Sequence, residues 1–321
     1  MAGSCEKFRF LLDQVCESIP CESILLSGGL DSSILLFCIK PRKAITIVID
    51  CLSNDYKYSS LIASKFNLSH IIFQPEKYLI YKSMNELIAN YKTFDPIFIR
   101  NMVIQLIGFQ KAIELGLKTV IIGDGADELF GGYNFLHRYN KEPKILESKL
   151  RQLIQNMNFV SKSLAEKYHL NAYTPFLHDE IIEFARALQA NEKVAVHNGT
   201  IYGKFFLRKC YEGILPDEIV WRKKEALETG SGMTSFSSEF DKKISDSEFR
   251  NGIRIAKNDM VTIRNKEHLY YYQTYRKYFH APIYDPANQN LNFRKCSSCH
   301  SPFSWEGSFC KVCGAYPGIG T

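Results

Sequence analysis

The first half of the chain alternates short apolar segments with longer helix-like ones, and this alternation restricts the fold more than any other feature. The strand-like segments are residues 23–26, 44–50, 71–73 and 119–122. Strands and helices that alternate at these lengths predict βαβ units and a mainly parallel sheet. We therefore expect an α/β fold with helices on both faces of the sheet, followed by a mostly helical second half.

Two of the predicted strands end in glycine-rich turns, at residues 27–33 (SGGLDSS) and 123–125 (GDG). Ligands bind at the carboxyl ends of parallel strands, and a helix that starts there presents free N–H groups to an anion. Lys-Ser or Lys-Thr does not follow the second glycine, so the first turn is not a Walker A loop. The candidate residues of this nucleotide site are Leu26, Ser27, Gly28, Gly29, Leu30, Asp31, Ser32, Ser33 and Gly123.

Four of the ten cysteines form two Cys-x-x-Cys pairs near the C-terminus: Cys296 with Cys299, and Cys310 with Cys313. This spacing is typical of a zinc ribbon, in which four thiolates hold a tetrahedral Zn²⁺. We expect no signal peptide, since Glu6, Lys7 and Arg9 interrupt the N-terminal segment, and we therefore favour metal binding over disulfides for these four cysteines. We expect a closed structural zinc site that folds a short tail.

Several motifs resemble known families. SGGLDSS resembles the phosphate loop of the PP-loop (HUP-like) ATP pyrophosphatases. Residues 123–133 (GDGADELFGGY), 174–177 (TPFL) and 222–226 (RKKEA) resemble the asparagine synthetase and β-lactam synthetase family. The resemblance covers roughly residues 20–280 and is specific, because the motifs occur in the family's order.

The resemblance implies an ATP-dependent ligase that adenylates a carboxylate, releases pyrophosphate and then forms an amide. Its implied cofactors are ATP and Mg²⁺, with Asp31 and Asp127 sharing the metal. Lys224 would stabilise charge on the α-phosphate and on the tetrahedral intermediate. Asp124 stands where the family often has glutamate and would handle protons. Asp95 and Arg100 stand where relatives have residues on the substrate side.

We expect no N-terminal glutaminase domain of the kind that the family usually carries, because the first predicted strand begins near residue 23. The nitrogen source is therefore open between free ammonia, a separate glutaminase subunit and another amine. Aspartate, converted to asparagine, is the first candidate for the small-molecule carboxylate.

Two other functions stay open. The first is a PP-loop enzyme that modifies RNA and binds tRNA through the zinc ribbon. A protein partner at the ribbon also stays open. The second is a non-catalytic protein that only senses ATP. The net charge of +6, from 40 basic and 34 acidic residues, does not demand a nucleic-acid partner.

We divide the chain into an N-terminal helical lead-in (residues 1–22), the synthetase-like domain (23–280), a linker (281–292) and the zinc ribbon (293–321). The apolar runs are shorter than the roughly 18 residues that a membrane span needs. We expect a cytoplasmic protein without a membrane partner.

Overall fold

A five-stranded parallel sheet forms the centre of the first of two units in the computed structural model. The structure describes residues 2–285, 294–303 and 309–317. The first unit is built from residues up to 74 and from 108 to 231, and the second from residues 75–107 and from 232 onward.

The strands are β1 (Ser23–Leu25), β2 (Lys43–Ile47), β3 (Ser69–Phe73), β4 (Thr119–Ile121), β5 (Asn171–Tyr173), β6 (Ala195–His197), β7 (Thr200–Tyr202), β8 (Arg294–Lys295) and β9 (Pro302–Phe303). The α-helices are α1 (Ala2–Glu17), α2 (Leu30–Ile39), α3 (Asn54–Lys65), α4 (Lys77–Tyr91), α5 (Pro96–Glu114), α6 (Ala126–Phe130), α7 (Pro143–Gln155), α8 (Ser161–Glu166), α9 (Asp179–Ala187), α10 (Ala190–Lys193), α11 (Phe205–Tyr211), α12 (Asp217–Val220), α13 (Leu227–Gly230), α14 (Ser237–Lys243), α15 (Asp246–Asn258) and α16 (Lys266–Tyr278). Short 3₁₀ helices lie at Asn134–Tyr139, Pro175–Leu177, Met233–Phe236 and Pro282–Tyr284.

The sheet has the strand order β3-β2-β1-β4-β5, and every pairing in it is parallel. Ser23 aligns with Lys43 on one side and with Val120 on the other. The strand order reverses at β1 and β4, so a cleft opens beyond their carboxyl ends. Both glycine turns follow these two strands. The prediction of a mainly parallel sheet with helices is thus confirmed, whereas β5 and α4 were not predicted.

The N-terminal segment, predicted as a lead-in, forms part of the core of the first unit. Phe8 and Leu12 of α1 are fully buried. The ring of Phe8 lies 5.5 Å from that of Phe130 and 5.6 Å from that of Phe206. α1 is also linked to α11 by a disulfide between Cys5 and Cys210. This helix therefore packs on α2, α9 and α11 as part of the core of the first unit.

The core of the second unit is a set of aromatic contacts between helices. The ring of Tyr81 on α4 lies 5.9 Å from Phe240 on α14 and 5.5 Å from Tyr270 on α16. Phe94, just before α5, is fully buried against Tyr275, with ring centroids 5.1 Å apart. These rings join the helices of the unit around one apolar centre.

The cysteine-rich tail belongs to the second unit and bonds to its main chain. Phe94 N donates to Val312 O at 2.7 Å, and Thr262 N donates to Ser298 O at 2.8 Å. The guanidinium of Arg264 donates to Cys313 O at 2.7 Å. The tail is thus packed on the helical unit. Most of the predicted linker, residues 286–292, lies outside the described residues.

The helices in the described ranges are all too short or too polar to cross a lipid bilayer.

Candidate active site and metal centre

The turn after β1, which we call the phosphate loop (residues 26–33), leads directly into α2. Gly28 has φ +64°, and a Cβ there would lie 2.3 Å from Ser59 N, so only glycine fits. The N-cap of α2 is Gly29, which has no side chain to cap the first turn. The hydroxyl groups of Ser27 and Ser32 lie 3.3 Å apart beside it. The loop thus offers helix N–H groups and hydroxyls to an anion.

The turn after β4 brings a second acid to the same edge of the sheet. Gly123 lies so close to the phosphate loop that a Cβ on it would be 3.1 Å from Asp31 Cβ. Asp127 follows at the start of α6. A Cβ on Gly132 would lie 1.8 Å from Asp127 Oδ1, so the glycine pair after α6 makes room for this carboxylate.

Lys204 joins the two acids and was missed by the sequence analysis. Its Nζ lies 2.6 Å from Asp31 Oδ2 and 2.6 Å from Asp127 Oδ1. The lysine side chain is only 4% exposed. Lys204 is the residue immediately before α11, and its backbone has φ +52°. The two carboxylates predicted to share a metal therefore converge on one point, where an ammonium group now neutralises them.

Asp31, Asp127 and Lys204 shift one another's pKa values. Burial raises the pKa of Asp31, against the opposing attraction of Lys204. Burial also acts to raise the pKa of Asp127, but Lys204 and Lys224 outweigh it and lower that pKa to about 2. The pKa of Lys204 is raised, because the two carboxylates outweigh its burial. Asp127 is therefore the firmly ionised acid of the pair.

The segment that carries Lys224, which we call the lysine loop (residues 222–226), lies at this cluster. Lys224 Nζ is 3.2 Å from Asp127 Oδ2 and donates to Glu225 O at 2.8 Å. Asn134 donates to the carbonyl of Lys224 at 3.3 Å. The structure thus brings together three of the predicted site residues, Asp31, Asp127 and Lys224.

Arg208, a buried residue on α11, bonds the main chain close to both Lys204 and Lys224. Its Nε donates to Gly203 O at 2.9 Å, and its Nη1 donates to Arg222 O at 3.0 Å. Burial lowers the pKa of Arg208 to about 10, so the guanidinium stays charged at neutral pH. It ties the residue before Lys204 to the first residue of the lysine loop.

Asp124 is half-buried and accepts a hydrogen bond from Ser161 Oγ at 2.6 Å. The hydroxyl of Ser161, at the start of α8, therefore fixes one oxygen of the carboxylate predicted to handle protons.

Asp95 and Arg100 both lie in the second unit. Arg100 forms a two-pronged ion pair with Glu267, in which its Nε donates to Oε1 at 2.8 Å. Burial raises the pKa of Asp95 to about 7. The guanidinium of Arg100, at a position where relatives have residues on the substrate side, is thus bound to a carboxylate of its own unit.

The four tail cysteines form one buried cluster, with sulfur atoms all within 4.8 Å of one another. The Sγ atoms of Cys296 and Cys313 are 3.7 Å apart, as are those of Cys299 and Cys310. A tetrahedron with the usual Zn–S bond of about 2.3 Å needs S···S distances of about 3.8 Å. The cluster therefore has the dimensions of a zinc site, and the donors fit the metal.

Most of the chain matches a known protein family. The family model described as asparagine synthase matches residues 22–173 and 141–275. Asparagine synthetase B of Escherichia coli is 25% identical over 316 residues, which are 90% of this chain and 55% of that protein. Asparagine synthetase 1 of Lotus japonicus is 28% identical over 279 residues, or 80% of this chain and 47% of that protein. Both relatives are named as glutamine-hydrolyzing.

Among solved structures, the NH3-dependent NAD synthetase of Campylobacter jejuni matches with a TM-score of 0.31 and 13% identity, over 73% of this chain and 94% of that one. The chain spans about half the length of the curated relatives that it matches. The family model, by contrast, covers most of the chain, including the phosphate loop and the lysine loop. The chain therefore belongs to the asparagine synthase family.

Proposed function

We propose that this protein is an ATP-dependent ligase that adenylates a small carboxylate, releases pyrophosphate and transfers nitrogen to form an amide. Aspartate is the proposed acceptor and asparagine the product. The nitrogen comes from ammonia, either free or delivered by a separate glutaminase subunit. The observation that supports this most is the single charge cluster of Asp31, Asp127, Lys204 and Lys224 beside the phosphate loop.

The cluster suits a polyphosphate bound with a metal. Two carboxylates meet at one point, and Asp31 Oδ1 is buried without a hydrogen-bond partner among the described residues. Such an oxygen is available as a ligand, and Mg²⁺ prefers carboxylate ligands alongside phosphate oxygens. Mg²⁺ bound by Asp31 and Asp127 would neutralise the phosphate charge.

The chain's own residues supply the rest of the reaction. The phosphate loop would bind the β- and γ-phosphates through its N–H groups and hydroxyls. Lys224 would stabilise the negative charge that builds on the α-phosphate as the carboxylate attacks. Lys204, whose Nζ lies beside the phosphate loop, would pair with phosphate oxygens. Asp124, held by Ser161, would accept a proton from the attacking nitrogen.

We further propose that Cys296, Cys299, Cys310 and Cys313 hold a structural Zn²⁺. All four sulfurs are buried, and four protein ligands leave no open position for chemistry. The metal would therefore fix the tail on the second unit rather than take part in the reaction.

The direct test measures exchange of labelled pyrophosphate into ATP with a panel of amino acids, and then product formation with ammonium present. Exchange with aspartate alone, and equal amounts of AMP and asparagine once ammonium is added, is the expected result. An Asp127→Asn variant serves as the inactive control. Absence of exchange with every carboxylate of the panel, in a protein that still binds ATP, would overturn the proposal.

A further inference from the structure

Arg222, the first residue of the lysine loop, contacts three parts of the first unit. Its Nη1 donates to the carbonyl of Ser27 in the phosphate loop at 3.3 Å. Its Nη2 lies 3.2 Å from Asp55 Oδ1 and 3.0 Å from Glu225 Oε2. The guanidinium also lies over the ring of Tyr58, 4.2 Å from the centroid. One side chain thus bonds the phosphate loop, α3 and the lysine loop together.

The partners of Arg222 are themselves fixed by close packing. Asp55 is 4% exposed, and a Cβ on Gly230 would lie 2.3 Å from its Oδ1. Gly28 packs directly on α3, because a Cβ on Gly28 would lie 2.3 Å from main-chain atoms of both Tyr58 and Ser59. A buried Arg–Asp pair is costly to desolvate, so its stability depends on such surrounding packing and hydrogen bonds.

We propose that Arg222 and Asp55 are positioning residues that hold the phosphate loop and Lys224 in register for the adenylation step. Arg222 is two residues from Lys224, so a shift of the guanidinium moves the catalytic ammonium relative to the phosphate loop. Its planar guanidinium reaches Ser27 through Nη1 and Asp55 through Nη2, two separate nitrogens that a lysine ammonium lacks. Asp55 holds the guanidinium of Arg222 in place, and the guanidinium holds the phosphate loop and the lysine loop relative to each other. This inference rests on the proposed function only for its kinetic consequence.

The structural test is amide hydrogen exchange of residues 26–33 and 222–226 at about pH 8, which lies above the pKa of about 7 to which burial raises the Asp55 carboxyl. We expect the phosphate loop to exchange roughly tenfold faster in Arg222→Lys and Asp55→Asn, the factor for losing one charge-assisted hydrogen bond. Arg186→Gln is the matched control, because Arg186 also pairs with a carboxylate of the first unit, Glu183, at 2.9 Å, but on an exposed helix face. Unchanged exchange of both loops in the two variants would overturn the proposal.

The kinetic test separates positioning from a merely structural role. Arg222→Lys keeps the charge and is expected to keep the melting temperature, while kcat for pyrophosphate release falls roughly tenfold or more and KM for ATP changes little. If Arg222→Lys does not fold, Asp55→Asn gives the same readouts. A loss of melting temperature with unchanged kcat would contradict the proposal. An inactive wild type would instead refute the proposed function, and the exchange test would still decide the inference.

Discussion

The ammonium group of Lys204 lies 2.6 Å from the carboxylate of Asp31, and it also neutralises Asp127. Lys204→Met removes a buried charge and leaves two half-buried carboxylates facing each other, so it should lower stability by about 3–5 kcal/mol. Mg²⁺ should restore much of that loss, because it would take the position of the ammonium between the acids. Melting curves with and without Mg²⁺ measure this effect. Lys209→Met is the control, since Lys209 pairs with Glu212 at the surface. A variant that melts identically with and without Mg²⁺ would argue against a metal at these acids.

Asp127 has a lower pKa than Asp31, and replacing it with the neutral asparagine should abolish pyrophosphate release. We expect Asp127→Asn to lower kcat by at least about a hundredfold, since several kcal/mol of charge stabilisation disappear with the metal. Titration of Mg²⁺ against the initial rate is the measurement. Full activity of this variant at ordinary Mg²⁺ concentrations would exclude the shared-metal arrangement.

Lys224 contacts Asp127, whereas its neighbour Lys223 is exposed. Lys224→Ala should lower kcat about 10²- to 10³-fold, the usual cost of removing one group that stabilises developing charge. ATP binding, measured by calorimetry, should change far less. Lys223→Ala should behave like wild type in both assays. If Lys224→Ala mainly weakens ATP binding, the residue serves substrate affinity and not the chemical step.

Zinc removal should affect more than the tail. The tail's main chain bonds to Phe94, Thr262 and Arg264, so its unfolding leaves these groups without partners. We expect chelation, or Cys299→Ser, to expose residues 93–98 and 262–268 to limited proteolysis and to lower the melting temperature. Zinc content by atomic absorption should fall from one per chain to zero. Cys51→Ser, at an exposed cysteine, is the control. Cleavage confined to the tail would show that the second unit folds without the metal.

Asp55 should make stability depend on pH. Burial raises its pKa from an ordinary value of 3.8 to about 7, while Arg222 and the more distant Lys224 act to lower it and Glu225 to raise it. The folded protein therefore binds a proton that the unfolded chain has lost, and this contribution to stability disappears as pH rises from about 4 through about 7. Denaturant unfolding across that range should show the slope, and Asp55→Asn should flatten it. An unaltered slope in the variant would assign the effect to another group.

Sequence patterns located the elements well where a motif or a strong period was present. The predicted strands at residues 23–26 and 119–122 are β1 and β4. Lys204 escaped notice because it belongs to no motif, and a hairpin distant in sequence brings it to the acids. The signal available was the glycine before it, since a Cβ on Gly203 would lie 2.2 Å from Gly131 O. Asp55 escaped because an acid in the first turn of a helix is ordinary. The catalytic roles assigned to Asp124 and Lys224 remain predictions.

The packing of α1 has a consequence for how the chain is made. Arg9 donates to the carbonyl of Cys210, 201 residues further along the chain, and Phe8 packs on Phe206. At translation rates of about 5–20 residues per second, α11 emerges roughly 10–40 seconds after α1. The other partners of α1, which are α2 and Phe130, are made earlier, but the part of α1 that faces α11 lacks its native partner during that interval. The core around Phe8 is thus completed only when α11 has been synthesised.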